Sequence, residues 1–109
     1  MSTMHDLPSY MQALRASFEA ERARGRSVTL QYVFTGAVEG ACHADIVDGA
    51  LTVAEGRCAS PTATITADFD LWLRVVAYHL DPLLAYQEGL YSIDGDIETL
   101  IEADSWFRR

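Results

Sequence analysis

The chain has 109 residues, which is enough for one hydrophobic core and too few for two independent domains. Half of the residues are apolar, so we expect a folded chain rather than a disordered one. The formal net charge of -8 makes nucleic acid an unfavourable partner, because most of the surface repels phosphate.

The first predicted element is a helix that Asp6 caps and Gly25 ends. Its apolar residues recur at intervals of three and four positions and so share one face: Leu7, Tyr10, Met11, Leu14 and Phe18. Polar residues crowd positions 19–26, so we expect the end of this helix to project into solvent.

Four strands are predicted next, because the apolar period changes to two residues. The first covers residues 28–34 and presents an alternating apolar face: Val28, Leu30, Tyr32 and Phe34. A second strand covers residues 41–47, an Asp48-Gly49 hairpin turn leads into a third, and a fourth covers residues 63–67. Four strands in succession favour an antiparallel meander.

A helix over residues 69–80, capped by Asp68, carries two apolar stripes. The first stripe comprises Phe69, Trp72, Leu73, Val76 and Leu80. The second lies on roughly the opposite side and comprises Leu71, Val75 and Tyr78. One stripe can pack on the sheet. The other must meet a helix, a subunit or a ligand, since leaving a Leu-sized side chain exposed forgoes about 1.5 to 3 kcal/mol.

The last predicted elements are a short helix from Pro82 to Gly89, a strand around residues 91–93, and a helix capped by Asp96. One face of the final helix is apolar: Ile97, Leu100, Ile101, Ala103 and Phe107. Trp106 falls off that face, so either the helix ends before it or the indole contacts something outside the core.

No convincing catalytic constellation accompanies these elements. Cys42 and His43 are adjacent on a strand and therefore point to opposite faces. His43 shares a face with Asp45, but no nucleophile or third ligand goes with the pair, so an enzyme using it is the weakest interpretation. The acids around Asp96 lack the calcium-loop pattern. We assign no catalytic residue, no metal and no cofactor.

The order of these signals resembles the sterol carrier protein type two family. The resemblance rests on Thr64-Ile65-Thr66-Ala67-Asp68 before a helix, followed by Asp81-Pro82-x-x-Ala85-Tyr86-x-x-Gly89-x-x-x-Ile93-x-Gly95-Asp96. It covers residues 7–107, and the Asp48-Gly49 hairpin fits the same order.

The resemblance implies one domain over residues 1–109, of the α+β type. Its expected fold is a five-stranded, mostly antiparallel sheet with about four helices packed on one face, enclosing a hydrophobic tunnel. The implied function is non-enzymatic binding or transfer of a fatty acid, acyl-CoA, sterol or isoprenoid. We expect the tunnel to be lined by Phe34, Phe69, Trp72, Leu73, Val76, Leu83, Leu84, Tyr86 and Ile101.

Two further expectations concern the use of such a tunnel. Tyr86, Gln87 or Ser92 would orient a head group, and residues 80–89 would act as a lid, being a short helix between breakers. We expect a cytoplasmic protein without stable membrane insertion, because the first residues lack the apolar core of a secretory signal and no apolar run reaches membrane-spanning length.

A second interpretation comes from a different class, and homodimerisation remains open beside it. The interior would be fully packed, and the second helical stripe and Trp106 would bury against a subunit or a partner enzyme. Two features favour this module: the many large side chains, and Tyr78-His79-Leu80-Asp81 standing where the family commonly has a Gly-Lys pair.

Overall fold

A computed structural model describes residues 6–76 and 82–107, with the backbone alone for Pro82 and Leu83. Five strands and four α-helices follow one another as α1 (Leu7–Ser17), β1 (Ser27–Thr35), β2 (Gly40–Val47), β3 (Ala50–Glu55), β4 (Ala63–Asp68), α2 (Phe69–Val76), α3 (Pro82–Gln87), β5 (Ser92–Gly95) and α4 (Ile97–Asp104). A 3-10 helix, Ala20–Ala23, lies between α1 and β1. The predicted extension of α2 to residue 80 lies outside the described residues.

Three helices begin at aspartates that the sequence predicts as caps. The carboxylates of Asp6, Asp68 and Asp96 accept hydrogen bonds from the backbone N–H three positions later, at 2.9, 3.0 and 3.1 Å respectively. Each carboxylate satisfies an amide that has no partner within its own helix. The predicted starts of α1, α2 and α4 are therefore confirmed.

The sheet has the strand order β3-β2-β1-β4-β5. The β1–β2, β2–β3 and β4–β5 pairs are antiparallel, whereas β4 pairs in parallel with β1. The predicted meander is therefore right for the first three strands and wrong for the fourth. Alternation of apolar residues specifies which face of a strand is buried but not which strand lies beside it.

The loop between β3 and β4 brings β4 alongside β1, so that these two strands pair in parallel. It crosses the face of the sheet opposite the helices, where the Gln31 side-chain oxygen accepts a hydrogen bond from the Cys58 N–H at 2.7 Å. The Thr62 N–H then donates to the Thr29 carbonyl at 2.8 Å. These contacts return the chain to the free edge of β1, and they leave the Gln31 side chain 5% exposed.

The core lies between the helices and the other face of the sheet. β1, β2 and β4 contribute their alternate apolar residues, as the sequence predicts, and α1, α2 and α4 cover them. The buried apolar residues of these three strands are Val28, Leu30, Tyr32, Phe34, Cys42, Ala44, Ile46, Ala63, Ile65 and Ala67, and β3 adds Val53. No helix of the described ranges is long and apolar enough to cross a membrane.

One expectation about helix ends is corrected, and for Trp106 the first of the two alternatives, that the helix ends before it, is confirmed. The segment after α1 does not simply project into solvent: Phe18 pairs with Phe107 in an isolated β-bridge, and Ala23 is fully buried. α4 ends at Asp104, and Trp106 then turns inward with 2% of its surface exposed. The Arg26 guanidinium lies 5.7 Å from the centre of that indole ring, so the outer side of Trp106 is covered by this chain.

Candidate functional site

Seven aromatic side chains form a continuous set of ring contacts through the sheet–helix layer. Centroid distances between successive rings are 5.1, 5.2, 5.5, 6.4, 5.3 and 5.8 Å. We call this set the aromatic series, and in order it comprises Phe69, Phe34, Tyr10, Tyr32, Trp72, Tyr91 and Tyr86. Most of the ring pairs are edge-to-face, an arrangement that aromatic quadrupoles favour.

Exposure rises along the aromatic series. The first four rings are at most 4% exposed, Trp72 is 7% exposed, and Tyr91 and Tyr86 are half-buried. Two leucines are close to the outer end of the series in the chain, Leu84 two positions before Tyr86 and Leu90 directly before Tyr91, and they are 54% and 44% exposed. An apolar interior therefore connects to an apolar part of the surface near α3.

One polar contact lies inside the aromatic series. The Trp72 indole Nε1–H donates a hydrogen bond of 2.8 Å to the hydroxyl oxygen of Tyr10, and both side chains are buried. This bond joins α1 to α2 across the layer. A buried indole N–H without an acceptor would be costly, so the pair fixes the position of the Trp72 ring.

The structure brings together several of the predicted ligand-binding residues and separates others. Phe34, Phe69 and Trp72 belong to the inner part of the aromatic series, and Tyr86 forms its outer end. Leu73 and Val76 on α2 are partly buried against the core. The side chain of Leu83 lies outside the described residues, as does part of the predicted lid.

Two predicted site residues do not lie between the sheet and the helices. Ile101 is 63% exposed, because Leu100 and Ala103 take the inward side of α4. Leu84 is 54% exposed, because Ala85 is the residue of α3 that turns inward. Their predicted place in a tunnel wall is therefore corrected, and Leu84 lies at the surface end of the site. The proposed head-group residues Gln87 and Ser92 are exposed.

Sequence reasoning missed three members of the aromatic series. The apolar period assigns all three to buried faces and predicts only core or strand residues at these positions: Tyr10, Tyr32 and Tyr91. Their residue type is the signal that could have identified them, because a tyrosine combines an apolar ring with a hydroxyl and needs a polar partner when it is buried.

The histidine and cysteine that attracted attention in the sequence have structural partners. His43 Nδ1 lies 2.9 Å from the Gly56 carbonyl oxygen, and Asp45 accepts a hydrogen bond from the Thr29 hydroxyl at 3.0 Å, so the two residues bind different groups. Burial raises the pKa of the Cys42 thiol to about 12. Across the described residues no three His, Cys, Asp or Glu side chains form a metal-binding group.

The side chains that would form the contact surface of an interaction module are largely buried within this chain. Val75 of the second α2 stripe is 2% exposed, and Leu71 is partly buried. Trp106 is buried as well, which corrects its expected role as an external contact. Tyr78, the third member of the second stripe, lies outside the described residues.

Three solved structures show the same fold at low sequence identity. A stereoselective inverting sec-alkylsulfatase from Pseudomonas sp. matches with a TM-score of 0.83 and 22% identity over 94% of this chain. This chain covers 16% of the sulfatase chain. Sterol carrier protein 2-like 2 from Aedes aegypti matches with a TM-score of 0.71 and 17% identity over 90% of both chains.

The third structure is a palmitated form of that Aedes aegypti protein, with a TM-score of 0.64 and 19% identity, covering 86% of this chain and 90% of that one. A search of curated proteins gave no match. At the level of the family, the SCP-2 sterol transfer family matches residues 11–108, which is nearly the whole chain. With the five-stranded sheet and its four helices in agreement, this chain belongs to the SCP-2 sterol transfer family.

Proposed function

We propose that this protein binds and transfers a lipid-like molecule, without catalysing a reaction on it, at the outer end of the aromatic series. The observation that carries the proposal is the rise in exposure from Phe69, which is fully buried, to half-buried Tyr91 and Tyr86 beside exposed Leu84 and Leu90. Membership of a sterol transfer family supports it. The palmitated state of the Aedes aegypti relative supports an aliphatic chain as part of the ligand.

The inner rings set a limit on how such a ligand enters. Tyr10 meets Tyr32 and Phe34 edge-to-face, and Phe34 meets Phe69 in the same way, with centroids 5.1 to 5.5 Å apart. An entering chain would therefore first meet the outer residues of the layer: Trp72, Leu73, Val76 and Tyr91. Each methylene buried there would contribute about 0.8 kcal/mol, so about ten buried methylenes match the roughly 8 kcal/mol of micromolar binding before ordering costs.

Native mass spectrometry of protein purified from its own host tests the proposal. We expect a stoichiometric apolar molecule that is released by denaturing extraction. Protein without ligand that also fails to take up any added decanol, decanoate or sterol would overturn the carrier function.

A second candidate function is that of an accessory domain that serves an enzyme. The similarity to a domain-sized part of the sec-alkylsulfatase chain favours it, because the match includes 94% of this chain. Its test is size-exclusion chromatography with light scattering, in which the accessory role predicts a stable complex with an enzyme of the same host. A carrier that acts alone predicts the mass of the free protein under the same conditions.

A further inference from the structure

Acidic and basic residues are divided unevenly between the two halves of this chain. Residues 62–107, which contain β4, α2, α3, β5 and α4, include nine acidic residues and one arginine, Arg74. The chain contains no lysine, and its other arginines precede β4 or follow α4. The half of the chain that carries the outer end of the aromatic series is therefore strongly negative.

Three of the four arginines before β1 pair with acids, and the fourth, Arg15, donates a hydrogen bond to the Val53 carbonyl oxygen. Arg22 Nε lies 3.2 Å from Glu19 Oε1, and Arg24 Nη2 lies 2.7 Å from Glu21 Oε2. Arg26 pairs with Glu102 and so neutralises one acid of α4. These contacts leave most of the negative charge of residues 62–107 without compensation.

Six exposed acids illustrate this. In the described part of the chain, none of them has a carboxylate oxygen within 4.0 Å of an arginine nitrogen: Asp68, Asp70, Glu88, Asp94, Asp96 and Glu98. Asp68 and Asp70 flank the start of α2, which carries Trp72, Leu73 and Val76, and Glu88 follows α3 directly. Hydrogen bonds from Thr99 lower the pKa of Asp96, so this group also stays charged at neutral pH.

Negative charge beside an apolar site discriminates between the head groups of its ligands, and here Asp70 lies two positions before Trp72 and Glu88 two positions after Tyr86. An anionic head is repelled by charges within about one Debye length, roughly 10 Å at moderate salt, whereas an uncharged head is not. A cationic head is attracted by the carboxylates and by the faces of Tyr86 and Tyr91.

We propose that the ligand of this protein has an uncharged or cationic head group, and that fatty acids and acyl-CoA esters are selected against. This inference rests on the proposed carrier function and narrows its substrate class. The aromatic series supplies affinity for the apolar part of the ligand, and Asp68, Asp70 and Glu88 supply the preference for its head group.

Arg74 is the side chain that could favour the opposite outcome. It is exposed on α2, one turn after Asp70, and the three acids Asp68, Asp70 and Glu88 outnumber it. If Arg74 nevertheless anchored an anionic head, replacing it would weaken the binding of acids selectively.

The test is calorimetric titration of the full chain at low ionic strength with three ligands that share a ten-carbon tail, each kept below its micelle concentration. We expect decanol to bind at least about tenfold more tightly than decanoate, and decyltrimethylammonium to bind at least as tightly as decanol. Adding about 0.5 M sodium chloride should reduce these differences in affinity, because salt screens the charges. Decanoate binding that equals or exceeds decanol binding would overturn the proposal.

Variants separate charge from packing. The double substitution D70N/E88Q should improve decanoate binding several-fold and leave decanol unchanged, whereas E55Q at the opposite edge of the sheet should change neither. A loss of decanoate affinity in R74Q without any loss for decanol would also overturn the proposal. Failure of all three ligands to bind would instead reject the carrier function itself.

Discussion

At the scale of single residues, the Tyr10–Trp72 pair shows how the interior combines apolar packing with one directional contact. Both rings are buried, and the indole N–H finds its acceptor on another helix at 2.8 Å. Neither residue type would be expected at such depth without a partner, because the hydroxyl and the N–H both lose water on burial. The pair therefore determines where the Trp72 ring stands in relation to any ligand.

Removing the Tyr10 hydroxyl tests this contact. We expect Y10F to lower the free energy of unfolding by about 1 to 3 kcal/mol, because the Trp72 N–H then stays buried without its acceptor. Urea denaturation measures the change. Y86F is the matched control, since its ring is half-buried, and it should change stability little. An unchanged unfolding free energy in Y10F would show that the bond is energetically unimportant.

Cys42 predicts how stability changes in alkaline solution. Burial raises the pKa of its thiol from 9.0 to about 12, so the unfolded chain loses this proton at lower pH than the folded chain does. The unfolding free energy should therefore fall as the pH rises above about 9, by at most about 1.4 kcal/mol per unit. Comparison of wild type with C42A isolates this slope from other titrations. Parallel pH profiles for the two proteins would contradict the assignment.

At the scale of elements, the β5–α4 junction depends on a glycine. Gly95 has φ of +95°, and a Cβ there would collide with the Thr62 carbonyl oxygen, which already accepts a hydrogen bond from the Asp96 N–H at 3.0 Å. The Gly95-Asp96 pair thus ends the edge strand and begins α4 within two residues. Both positions are clear in the sequence, because glycine and aspartate mark strand breaks and helix caps.

Alanine substitution separates backbone strain from collision at this junction. G95A should destabilise the protein by about 2 to 4 kcal/mol, because it adds a steric clash to the strain of a positive φ. G56A is the matched control: its φ is +100°, but nothing lies within 4 Å of the added Cβ, so we expect about 1 to 2 kcal/mol. Equal losses of unfolding free energy in the two variants would rule out the clash.

The strands and helices show what local patterns can and cannot predict. The alternation in β1 correctly places Val28 and Leu30 on the buried face, and three aspartates correctly mark helix starts. The pattern predicted an inward Ile101, because positions 97, 100 and 101 are all apolar. The side of α4 that contacts the core is too narrow to bury all three of these side chains. No local pattern in the sequence predicts that β4 pairs in parallel with β1.

At the scale of the whole molecule, the candidate site emerges from positions far apart in sequence. Tyr10, Tyr32 and Trp72 belong to α1, β1 and α2, and Tyr91 directly precedes β5. The pairing of β4 with β1 brings Trp72, on the helix that follows β4, to Tyr32. The sequence could predict that an apolar layer lies between sheet and helices. It could not predict the order of the rings or their gradient of exposure, since both follow from tertiary packing.

The parallel β1–β4 pair also has a consequence for how the protein opens and folds. β1 is hydrogen-bonded on both sides, to β2 and to β4, and the second pairing joins strands that are separated in the chain by β2 and β3. Amide hydrogen exchange should therefore be slowest in β1, intermediate in β2 and β4, and fastest in the edge strands β3 and β5. Fast exchange in β1 would contradict this order. Equal exchange rates throughout would instead mean that the sheet opens as one cooperative unit.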